Sequence, residues 1–348
     1  MAKHSRIRTN RSKTELAVLG LLAVAVVVLA AVFVFPCAEP SRSSSDASSE
    51  SSIPGEECPV DLSDLPAPPP PGEEIAFIGA HPSSPGMPTV RAEYMGCVFR
   101  VLVDTGVTGG NALMGWFARR LKLETHPGKR TAFDIAGRVA RVLEIDWIQI
   151  EVPSLRTTVP IQMVEPGPGD RLMEDGIAGI ISPRYTVADG RILILEFGPR
   201  SRLRNLSIRD AESLHQETPT FDLRECEGHF QSAALVGGHP ARLEIDTGSM
   251  GTVIYSESAA GRPLAAQIMD WRETKPTALG GPQRSGVVAG VPIRVGELAA
   301  TATIEIMRTK GNTGEVCGFD GVLGTDFLAS HRCTLLAQVD RMRGYCTP

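Results

Sequence analysis

Residues 75–346 are dominated by short segments in which apolar and polar residues alternate with a period of two. Phe99 to Val103, Val139 to Val152, Thr157 to Val164, Ala241 to Ile245, Gly286 to Val295 and Ala299 to Met307 carry that pattern. Strand side chains point alternately to opposite faces, so each segment reads as a strand with one face turned to a core. Ala112 to Leu121 has a helical period instead. Ala112, Trp116, Phe117 and Leu121 share one face, which predicts a short helix that packs rather than binds. The balance predicts an all-β fold.

The N-terminal end obeys a different rule. Leu16 to Phe35 is apolar all round, free of charge and interrupted by Gly20 alone. Its twenty residues, at about 1.5 Å each, match the roughly 30 Å hydrocarbon layer of a bilayer. Residues 1–15 carry Lys3, Arg6, Arg8, Arg11 and Lys13 against the single acid Glu15. A basic flank ahead of the span predicts a cytoplasmic N-terminus, a single-pass signal anchor at 16–35 and an exported remainder, periplasmic if the source is bacterial. Cleavage and lipidation are the rivals. Pro36-Cys37-Ala38 is a poor small-residue cleavage site, and Pro directly before Cys37 is a poor lipidation site. Residues 36–72, Ser-rich and then proline-rich, read as a spacer that holds the strand-rich region off the membrane.

One signature occurs twice, 142 residues apart. The strand Phe99 to Val103 runs into Asp104-Thr105-Gly106, and Ala241 to Ile245 runs into Asp246-Thr247-Gly248. Each copy has a glycine at a later hairpin, Gly137 in one and Gly280-Gly281 in the other. Two alternating strands come next, and then a Gly pair in Asp175-Gly176-Ile177-Ala178-Gly179-Ile180-Ile181 or Asp320-Gly321-Val322-Leu323-Gly324. A lone Asp-Thr-Gly is an ordinary turn. The same order of elements twice predicts two lobes, 73–205 and 206–348, each giving one carboxylate to a shared centre.

The paired signature, with Gly324-Thr325-Asp326-Phe327-Leu328 after the second copy, resembles the aspartic proteases of the retropepsin and pepsin superfamily. The resemblance covers roughly residues 75 to 346. It implies a bilobal acid-protease-like fold, two similar closed β lobes with the cleft between them, resembling fused retropepsin subunits. It implies an aspartic endopeptidase without cofactor or metal, acting on a peptide or protein substrate and monomeric because both halves are in one chain. Asp104 and Asp246 would be catalytic. Thr105 and Thr247 would bond across the interface, and Gly106 and Gly248 would let the turns close. Gly137, Gly280 and Gly281 would be flap tips, with no flap Tyr of the pepsin kind. Ser249 stands directly after the second turn and is expected to donate to Asp246. Val107, at the matching place, cannot donate, which predicts that Asp104 holds the proton. After Gly179 the chain lacks the helical Asp-Phe-Leu of the second half.

The chemistry needs such a pair. Without metal or covalent nucleophile, peptide hydrolysis requires a base for water and an acid for the carbonyl oxygen. Two carboxylates about 3 Å apart cannot both ionise, so one holds a proton and the other does not. A catalytically inactive peptide-binding or envelope interaction protein on the same fold is the alternative.

Composition narrows the rest. A net charge of −5 gives no reason to expect a nucleic-acid partner. No Cys-x-x-Cys or His-Glu-x-x-His spacing points to a metal. Cys58, Cys97, Cys226, Cys317, Cys333 and Cys346 lie beyond the apolar run, an even number that predicts disulfides in an oxidising compartment, with Cys333–Cys346 the favoured pair.

Overall fold

In the computed structural model, the described residues are 57–70, 75–79, 85–107, 110–133, 139–165, 173–186, 190–198, 200–215, 217–273, 284–309 and 317–347. They are mostly strand and form two sheets. The predicted span 16–35 lies outside them. Among the described residues no helix is long and apolar enough to cross a membrane.

The first sheet holds β1 (Ala76–Ile78), β2 (Met87–Tyr94), β3 (Cys97–Val103), β4 (Ala112–Met114), β5 (Thr125–Phe133), β6 (Val139–Val152), β7 (Thr157–Glu165) and β8 (Ile177–Ile181). Their order is β1-β2-β3-β8-β4-β7-β6-β5, and β2 also pairs with β6. The second sheet begins with β9 (Arg191–Glu196), β10 (Arg202–Ser207), β11 (Phe221–Cys226), β12 (His229–Val236) and β13 (His239–Ile245). It continues with β14 (Val253–Tyr255), β15 (Arg272–Glu273), β16 (Arg284–Val295), β17 (Leu298–Met307), β18 (Gly321–Leu323), β19 (Thr334–Ala337) and β20 (Arg341–Tyr345). Its order is β10-β9-β19-β20-β11-β12-β13-β18-β14-β17-β16-β15, with β12 also paired to β16.

The sequence repeat becomes a repeat of topology. β3 lies parallel to β8, β8 antiparallel to β4, and β4 parallel to β7. β13 does the same with β18, β14 and β17. The β2–β6 and β12–β16 pairings close each set into a ring. The duplicated glycine is explained by that crossing: a Cβ on Gly321 would sit 2.1 Å from the Val253 carbonyl oxygen, and one on Gly179 3.0 Å from that of Ala112. Strands β9 and β10, assigned by sequence mostly to the first lobe, hydrogen-bond into the second sheet through β19.

Two local expectations change. Ala112–Met114 is strand, because β7 and β8 take its backbone groups, and the helix begins only at Gly115 and runs to Arg120. It buries Trp116 and Phe117, with Phe117 4.6 Å from Phe99 between ring centres and the Trp116 indole donating to the Ile177 carbonyl at 3.1 Å. After β8 a short helix, Pro183–Thr186, stands where the sequence lacks Asp-Phe-Leu.

Residues 57–70 are not a free spacer. Cys58 is bonded to Cys97, and Val60, Leu62 and Leu65 pack on the main core. Arg120 holds both carboxylate oxygens of Asp64 at 2.7 and 2.8 Å, and Arg100 donates to the Ala67 carbonyl at 2.7 Å. The other disulfides are Cys226–Cys317 and the expected Cys333–Cys346. Deleting residues 1–56 should therefore leave the melting temperature unchanged. Deleting 1–72 should lower it by about 5–10 °C, from the lost cross-link and apolar contacts. Equal melting of the two truncations would show that the segment contributes nothing.

Candidate active site

Each predicted aspartate sits one residue past the end of a central strand. The Asp104 amide donates to Ile181 at 3.0 Å and the Asp246 amide to Leu323 at 3.2 Å, so the last rung of β3–β8 or β13–β18 fixes each backbone. The chain then turns back on the side chain. Gly106 N–H donates to Asp104 Oδ1 at 2.7 Å, and Gly248 N–H to Asp246 Oδ1 at 2.8 Å.

The threonines lock the two turns together. Thr105 N–H donates to Thr247 Oγ1 at 3.1 Å, and Thr247 N–H to Thr105 Oγ1 at 3.0 Å. Each hydroxyl then donates across the interface, Thr105 to the Ile245 carbonyl and Thr247 to the Val103 carbonyl, both at 2.7 Å. Thr105 and Thr247 are 3% and 0% exposed, so all four polar backbone groups are satisfied where water has little access.

This lock brings the carboxyl groups of Asp104 and Asp246 into hydrogen-bonding contact, while each residue keeps some surface open to solvent. The glycines make room for it. A Cβ on Gly248 would lie 2.3 Å from Asp104 Oδ2, and one on Gly106 2.9 Å from Asp246 Oδ1. Any side chain there would push the opposite carboxylate out of place.

Braces behind the turns differ between the halves. In the second, Thr325 and Asp326 of the helix Thr325–Ser330 bond back to the Ser249 and Met250 carbonyls. Asp326 accepts from the Thr252 amide and hydroxyl, both at 3.0 Å. Thr325 also reaches the Gly86 carbonyl, ahead of β2, at 2.9 Å. In the first half the acceptor is on the loop: Asn111 Oδ1 takes the Ser182 amide at 2.8 Å, and its amide donates to Pro160 and Tyr185. Asn111 is invisible in the sequence because nothing local distinguishes it from a turn residue.

Ser249 is a correction. Its hydroxyl donates to the Gly251 carbonyl at 2.7 Å rather than to Asp246, because its own turn presents that acceptor at close range. The causes that act on the two acids differ. Burial, then the adjacent Asp246 charge, holds Asp104 well above the usual carboxylate range, against one bond from Gly106. Burial also raises Asp246, but the Asp104 side chain, the Gly248 and Ser249 amides and the charge of His229 all oppose it. Burial raises both carboxyls, and the two titrate as one coupled pair.

His229 and Glu244 were not anticipated. Glu244, two residues before Asp246, is 4% exposed, and its Oε1 is 2.6 Å from His229 Nδ1. Burial pushes Glu244 up to about 7 despite that partner. Burial alone would lower His229, but the bond and charge of Glu244 prevail and raise it. The available signal was a mismatch in the repeat, since Leu102 occupies the equivalent place in the first half.

These shifts fix a pH dependence of stability. A raised group stabilises the fold fully below its unfolded value and loses that contribution as pH rises through its folded value. For Glu244 the window runs from about 4.5 to about 7, and His229, also raised, has the same sign. The melting temperature should fall between pH 5 and pH 8; a flat or rising curve would contradict the burial described.

Gly137, Gly280 and Gly281 lie outside the described residues. Gly137 falls in the chain between the antiparallel β5 and β6, and the other two between β15 and β16. Among the described residues no group of three or more His, Cys, Asp or Glu side chains could hold a metal ion. No protein-family model matches the chain, and no curated protein matches its sequence.

Proposed function

We propose that this chain is an aspartic endopeptidase with the acid-protease fold, hydrolysing internal peptide bonds by water activated between Asp104 and Asp246. One observation carries the reading: two Asp-Thr-Gly turns, from halves of the same strand topology, are locked by reciprocal threonine bonds with their carboxyls in contact. A structural turn has no need of a buried pair of acids, which costs stability at neutral pH.

In the reaction, ionised Asp246 takes a proton from water as its oxygen attacks the scissile carbonyl carbon. Asp104 gives its proton to the carbonyl oxygen. On collapse of the neutral diol the C–N bond breaks, Asp246 protonates the leaving nitrogen, and a diol hydroxyl returns a proton to Asp104. The dyad ends as it began, and no covalent intermediate forms. One chain supplies both acids, so a monomer suffices.

The same proposal places the enzyme outside the cytoplasmic membrane, anchored by residues 16–35. Three disulfides support an oxidising compartment. The full-length protein, incubated with a denatured protein between pH 3 and 7, should cleave it, and pepstatin should block the cleavage. Peptide binding without cleavage would favour the inactive binding module.

A further inference from the structure

The two halves place different side chains at one topological position. In the first, Leu102 of β3 lies opposite Thr89 of β2, and Met87 is two residues before Thr89. In the second, Glu244 of β13 lies opposite Gln231 of β12, and His229 is two residues before Gln231. A buried apolar pair in one half is thus a hydrogen-bonded His–Glu pair in the other, with Glu244 buried and His229 half-buried. Stability does not explain the exchange, because a buried ion pair is commonly no better than apolar residues of similar volume.

Location supplies the explanation. Glu244 is on the strand that delivers Asp246, about 7 Å back along it at a strand's rise. Its charge acts on both dyad members, and that of His229 acts on Asp246. Resting on the endopeptidase reading above, we propose that His229 and Glu244 form an electrostatic positioning pair that widens the pH range over which the Asp104–Asp246 dyad holds a single proton.

The effect follows from the net charge the pair carries at each pH. In acid the pair is His⁺ with neutral Glu, net +1, which favours loss of the first dyad proton. Near neutrality it is balanced. In base it is neutral His with Glu⁻, net −1, which opposes loss of the second. The lower dyad step moves down and the upper step moves up.

Three other charged groups lie around the pair. Glu225 of β11 is paired to Arg184 at 3.1 Å, and Glu227 lies in the turn before His229. Arg242 shares the strand face of Glu244, and its amide bonds to Asp320 ahead of β18. The Phe319 ring, its centre 4.9 Å from that of the imidazole, adds a neighbour without a charge.

The test reads the dyad directly, so it does not depend on turnover. Full-length chain carrying ¹³Cγ-labelled aspartate is titrated by NMR as wild type, Glu244→Gln, His229→Gln and the double change His229→Met with Glu244→Leu, the first half's own pair. Glu244→Gln should lower the upper dyad step alone. His229→Gln should raise the lower step alone. The apolar double variant should do both, each by about one to two pH units, as for a unit charge at about 7 Å and an effective dielectric of about 20. The double variant replaces the pair with residues the same topology already accommodates, so it guards against misfolded single variants. Two dyad steps unmoved in the folded double variant, or both moving the same way in a single variant, would overturn the inference and leave the protease reading standing. Two independent, ordinary carboxylate titrations in the wild type would instead overturn the dyad itself and both proposals with it.

Discussion

Asp104→Asn and Asp246→Asn should each reduce kcat/KM by at least about a thousandfold, and the double variant should be scarcely worse than either. The reason is division of labour. One ionised and one protonated carboxyl are needed at the same moment, and an amide can be neither. Losses that act on one unit are far from additive. A finer expectation follows: Asp246→Asn removes the charge that, with burial, raises Asp104, so its Asp104 should titrate closer to an ordinary carboxylate. Kinetics on a denatured substrate, with circular dichroism to confirm folding, measure the first claim. Substantial activity in either folded single variant would refute the shared dyad.

Thr247→Val should be the most damaging change that leaves both acids in place. It removes the acceptor for the Thr105 amide and the donor to the Val103 carbonyl, both in the buried interface. Two orphaned buried groups at about 1–3 kcal/mol each predict a loss of about 2–6 kcal/mol. In a folded unit of this size that is roughly 5–15 °C in melting temperature. Activity should fall as well, because the lock sets the distance between the carboxyls. Thr247→Ser, which keeps the hydroxyl, should restore most of both. Thr105→Val should behave alike, since it strands the Thr247 amide and the Ile245 carbonyl. Wild-type melting in Thr247→Val would mean that the interface is held elsewhere.

Much of this site was legible because its information is local and repeated. A strand pattern that runs into Asp-Thr-Gly identifies both the turn and the acid, and its recurrence announces the partner. β6, β7, β16 and β17 fall within two residues of their predicted limits, because long alternating segments specify their own register. What the sequence hid depends on distant partners. Ala112–Met114 has a helical pattern but is claimed as strand by β7 and β8, some fifty and seventy residues on. Residues 57–70 have a spacer's composition, yet Cys58 and a few apolar side chains find partners on the first sheet. Ser249 is close to the acid in sequence, but hydroxyl geometry favours a nearer carbonyl. Glu244 was visible as a charge in an otherwise apolar strand end. Its role became readable once β12 brought His229 against it.

The most direct test of the central claim is cleavage in water enriched in ¹⁸O. Wild-type chain is incubated with a denatured protein at pH 3 to 7, the double Asp104→Asn, Asp246→Asn variant is run alongside, and the products are weighed by mass spectrometry. A dyad that activates water predicts internal cleavage, one ¹⁸O at each new C-terminus, no mass added to the enzyme, and intact substrate with the variant. Intact substrate with the wild type across that range, or cleavage that persists in the variant, would contradict it.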